Sequence, residues 1–319
     1  PAVQRVVEIK DGNQLSSAVC ELAAKDTLAV YFSASINICD GAAEYVIPIS
    51  DTILPDAISF EKALCALKSI LEDEGKRIIL FDVKGVLHRL KPYGVRIANP
   101  CDDVCIMNYL ASSKEGAYDF GKIMSAEGYP REAPAFALCD MRERLLSKLE
   151  QDGLMRLYRE IEFPLIFILY DMELSGFKVD VDELRELSKR YERELEQLTA
   201  QVYALAGEQF NLNSPKQLSR ILFEKLQLSS GKRTKSGLST DFEVLLSLAD
   251  QHEIIPLIIR YRTVSKLKGT YIDGIGGMLR AGDMVHTEFR QAQTSTGRIS
   301  SVEPNLQNIP IRDEDGREL

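Results

Sequence analysis

Two hydrophobic periods divide the chain. Over the first 150 residues, short apolar runs at strand spacing alternate with runs at helical spacing. Residues 28–32 (LAVYF) and 44–49 (EYVIPI) are β-branched or aromatic runs flanking the turn-forming CDGAA, a pattern that predicts a hairpin. Residues 60–74 then place Ala63, Leu64, Leu67, Ile70 and Leu71 at helical spacing, with Gly75 as the stop and 77–81 (RIILF) as the next strand. Further helices are predicted at 83–90, 103–110 and 142–149. Strands interleaved with helices in this way imply an α/β domain with helices on a central sheet.

From Leu154 onward the helical period takes over. Leu157, Ile161, Leu165, Ile168 and Met172 step by three or four, Pro164 is expected to kink the helix, and Gly176 to stop it. Asp180 or Asp182 starts a second helix, with Leu184, Leu187, Tyr191, Leu195, Leu198, Val202 and Leu205 on one face and Gly207 at its end. About 24 residues at the helical rise make a rod of roughly 36 Å. Residues 253–279 carry a comparable stripe of Ile255, Ile258, Ile259, Val264, Leu267, Tyr271 and Ile275. A coiled-coil dimer is the alternative, but ordered heptads are not sustained, so an intramolecular helical hairpin and a monomer are expected. Between the rods, Ser214-Pro215-Lys216-Gln217 and Thr240-Asp241-Phe242-Glu243 each read as a capping box.

Residues 293–312, QTSTGRISSVEPNLQNIPIR, fit neither period. They combine one glycine-flanked arginine, Arg298, with the hydroxyls of Thr294, Ser295, Thr296, Ser300 and Ser301 and the amides of Asn305, Gln307 and Asn308. Pro304 and Pro310 fix φ and remove donors, so a shaped loop is expected, with the polarity of a contact surface for an anionic or hydrogen-bonding ligand.

Charge sharpens that expectation. The net charge of −9 argues against a polyanion partner until it is divided, for residues 209–312 hold 14 basic and 9 acidic side chains. Local field decides where a polyanion docks. The excess gathers in the loop SSGKRTKSGLST (229–240), with Lys232, Arg233 and Lys235, and along the second rod at Arg260, Arg262, Lys266 and Lys268. Phosphate contact is the expected use of both.

The remaining composition sets limits. At 319 residues and 45% hydrophobic, the chain can bury two cores. No apolar run approaches a membrane span and the start has no signal-peptide layout, so no membrane partner and a cytoplasmic location are expected. The six cysteines are scattered without CxxC pairs, and buried free thiols are favoured over a metal site. Asp82, Asp102, Asp103, Asp119 and Asp140 are the possible metal ligands, for which helix capping or a solvated face is favoured over metal binding.

The segments FNLNSPKQL (210–218), TKSGLST (234–240), YRTVSKLKGTY (261–271) and above all TGRISSVEPNLQNIPIR (296–312) carry a specific likeness. From about Phe163 to its end the chain resembles the family A DNA polymerases. The resemblance implies an α/β ribonuclease-H-like 3′-5′ exonuclease domain over 1–150, followed by a mainly α-helical thumb over 151–282 and a short β start of the palm over 283–319. It also implies a double-stranded primer-template partner. Its DNA-binding candidates are Arg298, Asn305, Gln307, Asn308, Thr296, Ser300, Lys232, Arg233, Lys235, Asn213, Lys216, Arg262 and Lys266.

Two departures from the family pattern bear on activity. Where proofreading members carry an Asp-x-Glu pair the chain reads Tyr31-Phe32-Ser33-Ala34-Ser35, the next carboxylate position is Val86 after Lys84, and the last motif keeps only Asp140. The domain is therefore expected to be degenerate and without metal. The two palm aspartates of the family would lie past Leu319, so no catalytic residue is expected in the fragment, and Mg2+ and deoxynucleotides are expected only for the full-length enzyme. An active metal-dependent 3′-5′ exonuclease and a non-catalytic DNA-binding module are the alternatives.

Overall fold

In the computed structural model, residues 5–50, 58–98, 100–112, 118–229, 233–234, 237–310 and 314–318 are described. The chain forms two compact units, one of residues 1–175 with 289–301 and one of residues 176–288 with 302–319.

The first unit begins with β1 (Arg5–Glu8), α1 (Gly12–Ala23), β2 (Thr27–Phe32), β3 (Ser35–Cys39) and β4 (Ala43–Pro48). It continues through α2 (Phe60–Leu71), β5 (Arg77–Leu80), α3 (Val83–Leu90), β6 (Cys101–Asp103), α4 (Val104–Ser112), α5 (Phe120–Glu127) and α6 (Pro134–Gln151). The six strands make one sheet in the order β1-β4-β3-β2-β5-β6. β2, β3 and β4 form an antiparallel meander, while β5 runs parallel to β2, β6 parallel to β5, and β1 parallel to β4.

The expected hairpin between 28–32 and 44–49 is corrected here, because β3 lies between those two strands. CDGAA joins β3 to β4, with Ile38 opposite Tyr45. Residues 35–39 carry the polar Ser35 and Asn37, yet Asn37 is buried and its amide is taken up by the Glu44 carboxylate at 3.0 Å. Once a strand's polar group is paired inside, a polar letter no longer marks a surface position.

Glu44 also solves a capping problem in another element. Helix α6 starts at Pro134 with Ala133 as its cap, and Ala133 offers no side-chain acceptor. The Glu44 carboxylate reaches across from β4 and accepts from Ala135 N at 3.1 Å and Phe136 N at 2.6 Å. Burial pushes its carboxyl above the usual range, opposed by the bonds from Asn37 and the two helix N–H groups. Glu44→Ala is expected to cost about 2 kcal/mol in urea unfolding, since it orphans buried donors, whereas Glu44→Gln keeps an acceptor and should lose less.

After α6 come α7 (Met155–Leu157), a wide π-helical turn over Tyr158–Glu162, and α8 (Phe163–Ser175). The predicted disturbance at Pro164 thus takes the form of a widened turn just before the proline. A division at 150 would cut this run away from its core. Tyr158 and Ile166 are buried in the same cluster as Leu28, Ile38 and Leu64, which holds α8 in the first unit as far as Ser175.

The second unit opens with β7 (Phe177–Lys178) and α9 (Val181–Ala206), the long rod, 26 residues or about 39 Å. Gly176 stands at the junction with φ +62°, and a Cβ there would come within 2.6 Å of the Val285 carbonyl oxygen, so only glycine fits without a shift. Asp180 caps α9 by accepting from Glu183 N, and Gly207, with φ +67°, ends it.

Next come α10 (Pro215–Ser219), the β8–β9 ribbon (Arg233–Thr234 and Gly237–Leu238), α11 (Phe242–Ser247), α12 (Ile254–Lys266), a π-helical turn over Leu267–Asp273, α13 (Gly274–Gly277) and β10 (Met284–Val285). Helix α12 packs along α9 within the chain, which is the expected helical hairpin. Its buried stripe of Ile254, Ile255, Ile258 and Val264 packs with Val202 in one cluster and with Leu187 and Tyr191 in a second, one at each end of the rods. β10 pairs antiparallel with β7, β11 (Glu288–Arg290) with β12 (Ser300–Val302), and α14 (Glu314–Arg317) is the last helix.

The first capping box holds in part. Ser214 Oγ accepts from Gln217 N at 3.4 Å, but the Gln217 side chain serves Asn211 N at 2.8 Å instead of its cap. The second does not form. Asp241 stands at the cap position of α11 without a side-chain cap hydrogen bond, and Thr240 is occupied by Arg262.

Candidate nucleic-acid interface

The segment that joins β11 to β12 in the first unit begins fixed and ends exposed. Gln291 and Ala292 are buried. Their N–H groups both donate to the Tyr118 hydroxyl, at 2.9 and 3.1 Å, and the Gln291 amide donates to the Glu162 carbonyl at 2.8 Å and to its carboxylate. Tyr109 donates its hydroxyl proton to the Thr294 carbonyl at 2.6 Å. Thr294 then closes the next turn, its Oγ1 donating to the Arg298 carbonyl at 2.8 Å, with Gly297 at φ +77°.

Beyond this anchor Thr296 and Arg298 are exposed. The Arg298 guanidinium has no partner among the described residues, so its donors face solvent. Ser300 Oγ lies buried without a hydrogen-bond partner among those residues, while Ser301 is wholly buried. An arginine held out on a braced turn is available to an acceptor that arrives from outside.

In the second unit the amide-bearing stretch is equally braced from behind. Thr287 Oγ1 bridges the Val302 and Pro304 carbonyls at 3.0 and 2.8 Å, and the Tyr271 hydroxyl bonds the Asn308 carbonyl. Asn305 accepts from Gln307 N at 3.1 Å, an Asx turn that leaves its amide nitrogen outward. The Asn305, Gln307 and Asn308 side chains are all exposed.

The basic track along the second rod is thinner than its sequence. Arg260 is held by Glu194 and Asp315, Lys268 by Asp273 at 2.9 Å, and Arg262 by the Thr240 carbonyl and hydroxyl. Burial lowers the Arg262 guanidinium from its usual range. Lys266, by contrast, is exposed with no acidic partner among the described residues, as is Lys216. Asn213 is exposed, its amide on the Tyr261 hydroxyl at 3.3 Å. Lys232 and Lys235 lie outside the described residues, and Arg233 is placed in β8 by its backbone alone.

The sheet of the first unit offers hydroxyls where a divalent ion would need carboxylates. Ser33, Ser35 and Asn37 line a cavity of about 890 Å3 with Tyr31, Lys122 and the carboxylates of Glu8, Asp119 and Glu132. Hard cations are held by clustered carboxylate oxygens, and among the described residues these three acids do not come together as a ligand group, while β2 and β3 contribute only hydroxyls and an amide. The other acids are committed elsewhere. Asp82 caps α3 through Gly85 N, Asp119 caps α5 through Lys122 N, and Asp140 accepts from Tyr129 and from Arg144 at 3.1 Å. Asp102 binds Arg77, Arg142 and Arg159.

Asp103 is buried and accepts from four backbone N–H groups, those of Asp82, Val83, Cys105 and Ile106. Burial and the nearby Asp82 charge still push its carboxyl up to about 7. The cysteines are all free thiols, as expected, but Cys20 and Cys65 lie on the surface.

One charged group escaped the sequence reading. Glu173, buried on α8, takes Lys84 Nζ at 2.6 Å, His88 Nε2 and the Phe289 N–H. Burial raises its carboxyl, but the bonds from His88, Lys84 and Phe289 outweigh it and hold the group below the usual range. The available signal was a glutamate set in the apolar run FPLIFILYDMELS, on the buried side with Ile166 and Leu169. Such a residue needs an internal cation.

Comparison with known proteins follows the same lines. Residues 181–319 match the family described as DNA polymerase family A. The DNA polymerase I of Caldicellulosiruptor bescii is 39% identical over 261 residues, 79% of this chain and 31% of the relative. That of Bacillus subtilis is 42% identical over 241 residues, 72% of this chain and 27% of the relative. The chain thus spans about a third of the length of the curated relatives it matches. Among solved structures, the POL domain of Pol1 from M. smegmatis, in complex with DNA primer-template and dNTP, superposes with a TM-score of 0.80 at 26% identity, covering 98% of this chain and 57% of that one.

Proposed function

We propose that the chain is the exonuclease-like, thumb and first-palm portion of a family A DNA-directed DNA polymerase of the DNA polymerase I type, a reading supported by the family match over residues 181–319 and by the DNA polymerase I relatives. The sheet supports a ribonuclease-H-like domain over 1–150, since a three-strand antiparallel meander continues into two parallel strands. The α9–α12 hairpin supports a thumb within the expected 151–282, starting at Gly176 because 151–175 pack with the first unit, and the short strands from Met284 support the start of the palm over 283–319.

The carrying observation is the presentation of Arg298 on a braced, exposed turn. Purine N3 and pyrimidine O2 offer an acceptor at equivalent minor-groove positions of every base pair, so an arginine there checks pair geometry without reading sequence. Thr296, Asn305, Gln307 and Asn308 extend the donor set, whereas Ser300, whose Oγ is buried, is withdrawn from it, and Lys266, Lys216 and Asn213 suit phosphates. Lys232, Arg233 and Lys235 are assigned to the same phosphate role from their sequence.

Ser33 and Ser35 in place of paired carboxylates argue that the first domain does not cleave DNA, and no step through a metal is derived for it. Family A DNA polymerases generally use Mg2+, and nucleotidyl transfer with deoxynucleotides belongs in this proposal to the whole enzyme, a cytoplasmic monomer.

Arg298→Ala should weaken binding of a primer-template duplex by about tenfold or more, whatever its sequence. Lys266→Ala should lower affinity and reduce the slope of log affinity against log salt by about one. Titration of labelled duplex by fluorescence anisotropy checks both. Unchanged affinity in both variants would remove this surface from the DNA.

A further inference from the structure

Arg298 lies on a turn whose position is set by side chains from a different part of the first unit. Tyr109, on α4, is 5% exposed, and Tyr118 immediately precedes α5. Neither belongs to the segment they grip. The Tyr118 oxygen receives two consecutive peptide N–H groups, those of Gln291 and Ala292, which uses both its lone pairs and fixes two peptide planes at once. Two residues on, Tyr109 donates to the Thr294 carbonyl, and Thr294 relays the constraint by its own hydroxyl to the Arg298 carbonyl. The Gln291 side chain adds a third anchor at Glu162.

We propose that Tyr109 and Tyr118 are positioning residues for the DNA contact made by Arg298, so that the exonuclease-like domain serves as the bracket of that contact. The inference rests on the proposed DNA binding and deepens it. A long arginine side chain has many rotamers, and its reach to one acceptor is reproducible only if its Cα is fixed. Here the fixing groups are phenols from the exonuclease-like domain. Their hydroxyls bond backbone, so the bracket depends on the two tyrosines and only weakly on which residues the turn carries.

The test pairs Tyr118→Phe and Tyr109→Phe with Arg298→Ala on the full chain, measuring primer-template affinity by anisotropy. Each tyrosine variant should weaken binding by about fivefold to tenfold alone, yet add less than about twofold in the Arg298→Ala background. Amide hydrogen exchange at residues 293–299 should quicken in both tyrosine variants while the α2 and α6 amides keep their protection. Equal losses in both backgrounds would show a merely structural role and overturn the proposal. So would unaltered affinity or unaltered exchange in the tyrosine variants while Arg298→Ala still weakens binding. If Arg298→Ala itself changes nothing, the DNA-binding assignment is what falls. Should Tyr118→Phe not fold, Tyr109→Phe decides alone, because the carbonyl it releases can turn to water.

Discussion

Asp102→Ala should lower the unfolding free energy of the first unit by about 3 kcal/mol, among the largest effects of any single substitution in this chain. Asp102 is fully buried at the end of β6 and gathers three guanidinium groups, Arg77 at 3.3 Å, Arg142 at 3.0 Å and Arg159 at 2.9 Å. Removing the carboxylate leaves three like charges around an empty site, and Arg142, the most buried of them, has only the exposed Glu143 to turn to. Arg77 and Arg159 are more than a third exposed and can rehydrate, which is why the lower end of the range for a broken buried pair applies. Urea unfolding with an unchanged denaturant slope checks it. A loss below about 1 kcal/mol would class the cluster with ordinary surface pairs.

The second large effect is at Glu173. Glu173→Ala should cost about 3–5 kcal/mol, because it strands Lys84, 8% exposed, and the Phe289 N–H without their acceptor. The pH dependence has a definite sign. The folded-state carboxyl is held below its ordinary value, so its contribution is complete above about pH 4.5 and drains away as pH falls through the lower folded value. Glu173→Gln removes that titration. Its stability should fall less steeply than the native protein's as pH drops below about 4.5, and parallel acid-unfolding curves would contradict the assignment.

Asp103 pulls the other way. Its carboxyl is raised to about 7, so its protonated form favours the fold below about pH 4 and that advantage is lost between there and about 7. Stability from this group should therefore grow as pH falls from about 7 to about 4, before the loss at Glu173 sets in below about 4.5.

How much of this could be read in the sequence depended on whether a side chain's role was local. Helix α3 was placed from periodicity to the residue, and the rods and the Asp180 and Ser214 caps were legible because a cap and a stripe involve neighbours in the chain. Strand β3 was lost because Asn37 looks solvated until Glu44, seven residues on, is seen beside it. In the same way Arg260 and Lys268 counted as free charge in the sequence, and only the fold brings Glu194, Asp315 and Asp273 to them. The candidate site divides likewise. Arg298 and its polar neighbours were evident from composition, but Tyr109 and Tyr118, about 180 residues earlier, carried no sign of their task.

The return of residues 289–301 to the first unit sets a timetable for synthesis. Residues 176–288 are made between the two parts of that unit. At about 5–20 residues per second, that leaves the sheet and its helices waiting roughly 6–20 s for their last strip of chain. During that interval the Tyr118 hydroxyl lacks the two amides it will hold, and Glu173 lacks the N–H of Phe289. The nascent domain therefore passes through a stage in which most of its core is available but the turn that carries Arg298 is not. A ribosome paused within the second unit would hold it there, open to proteolysis at the seat the strip will fill.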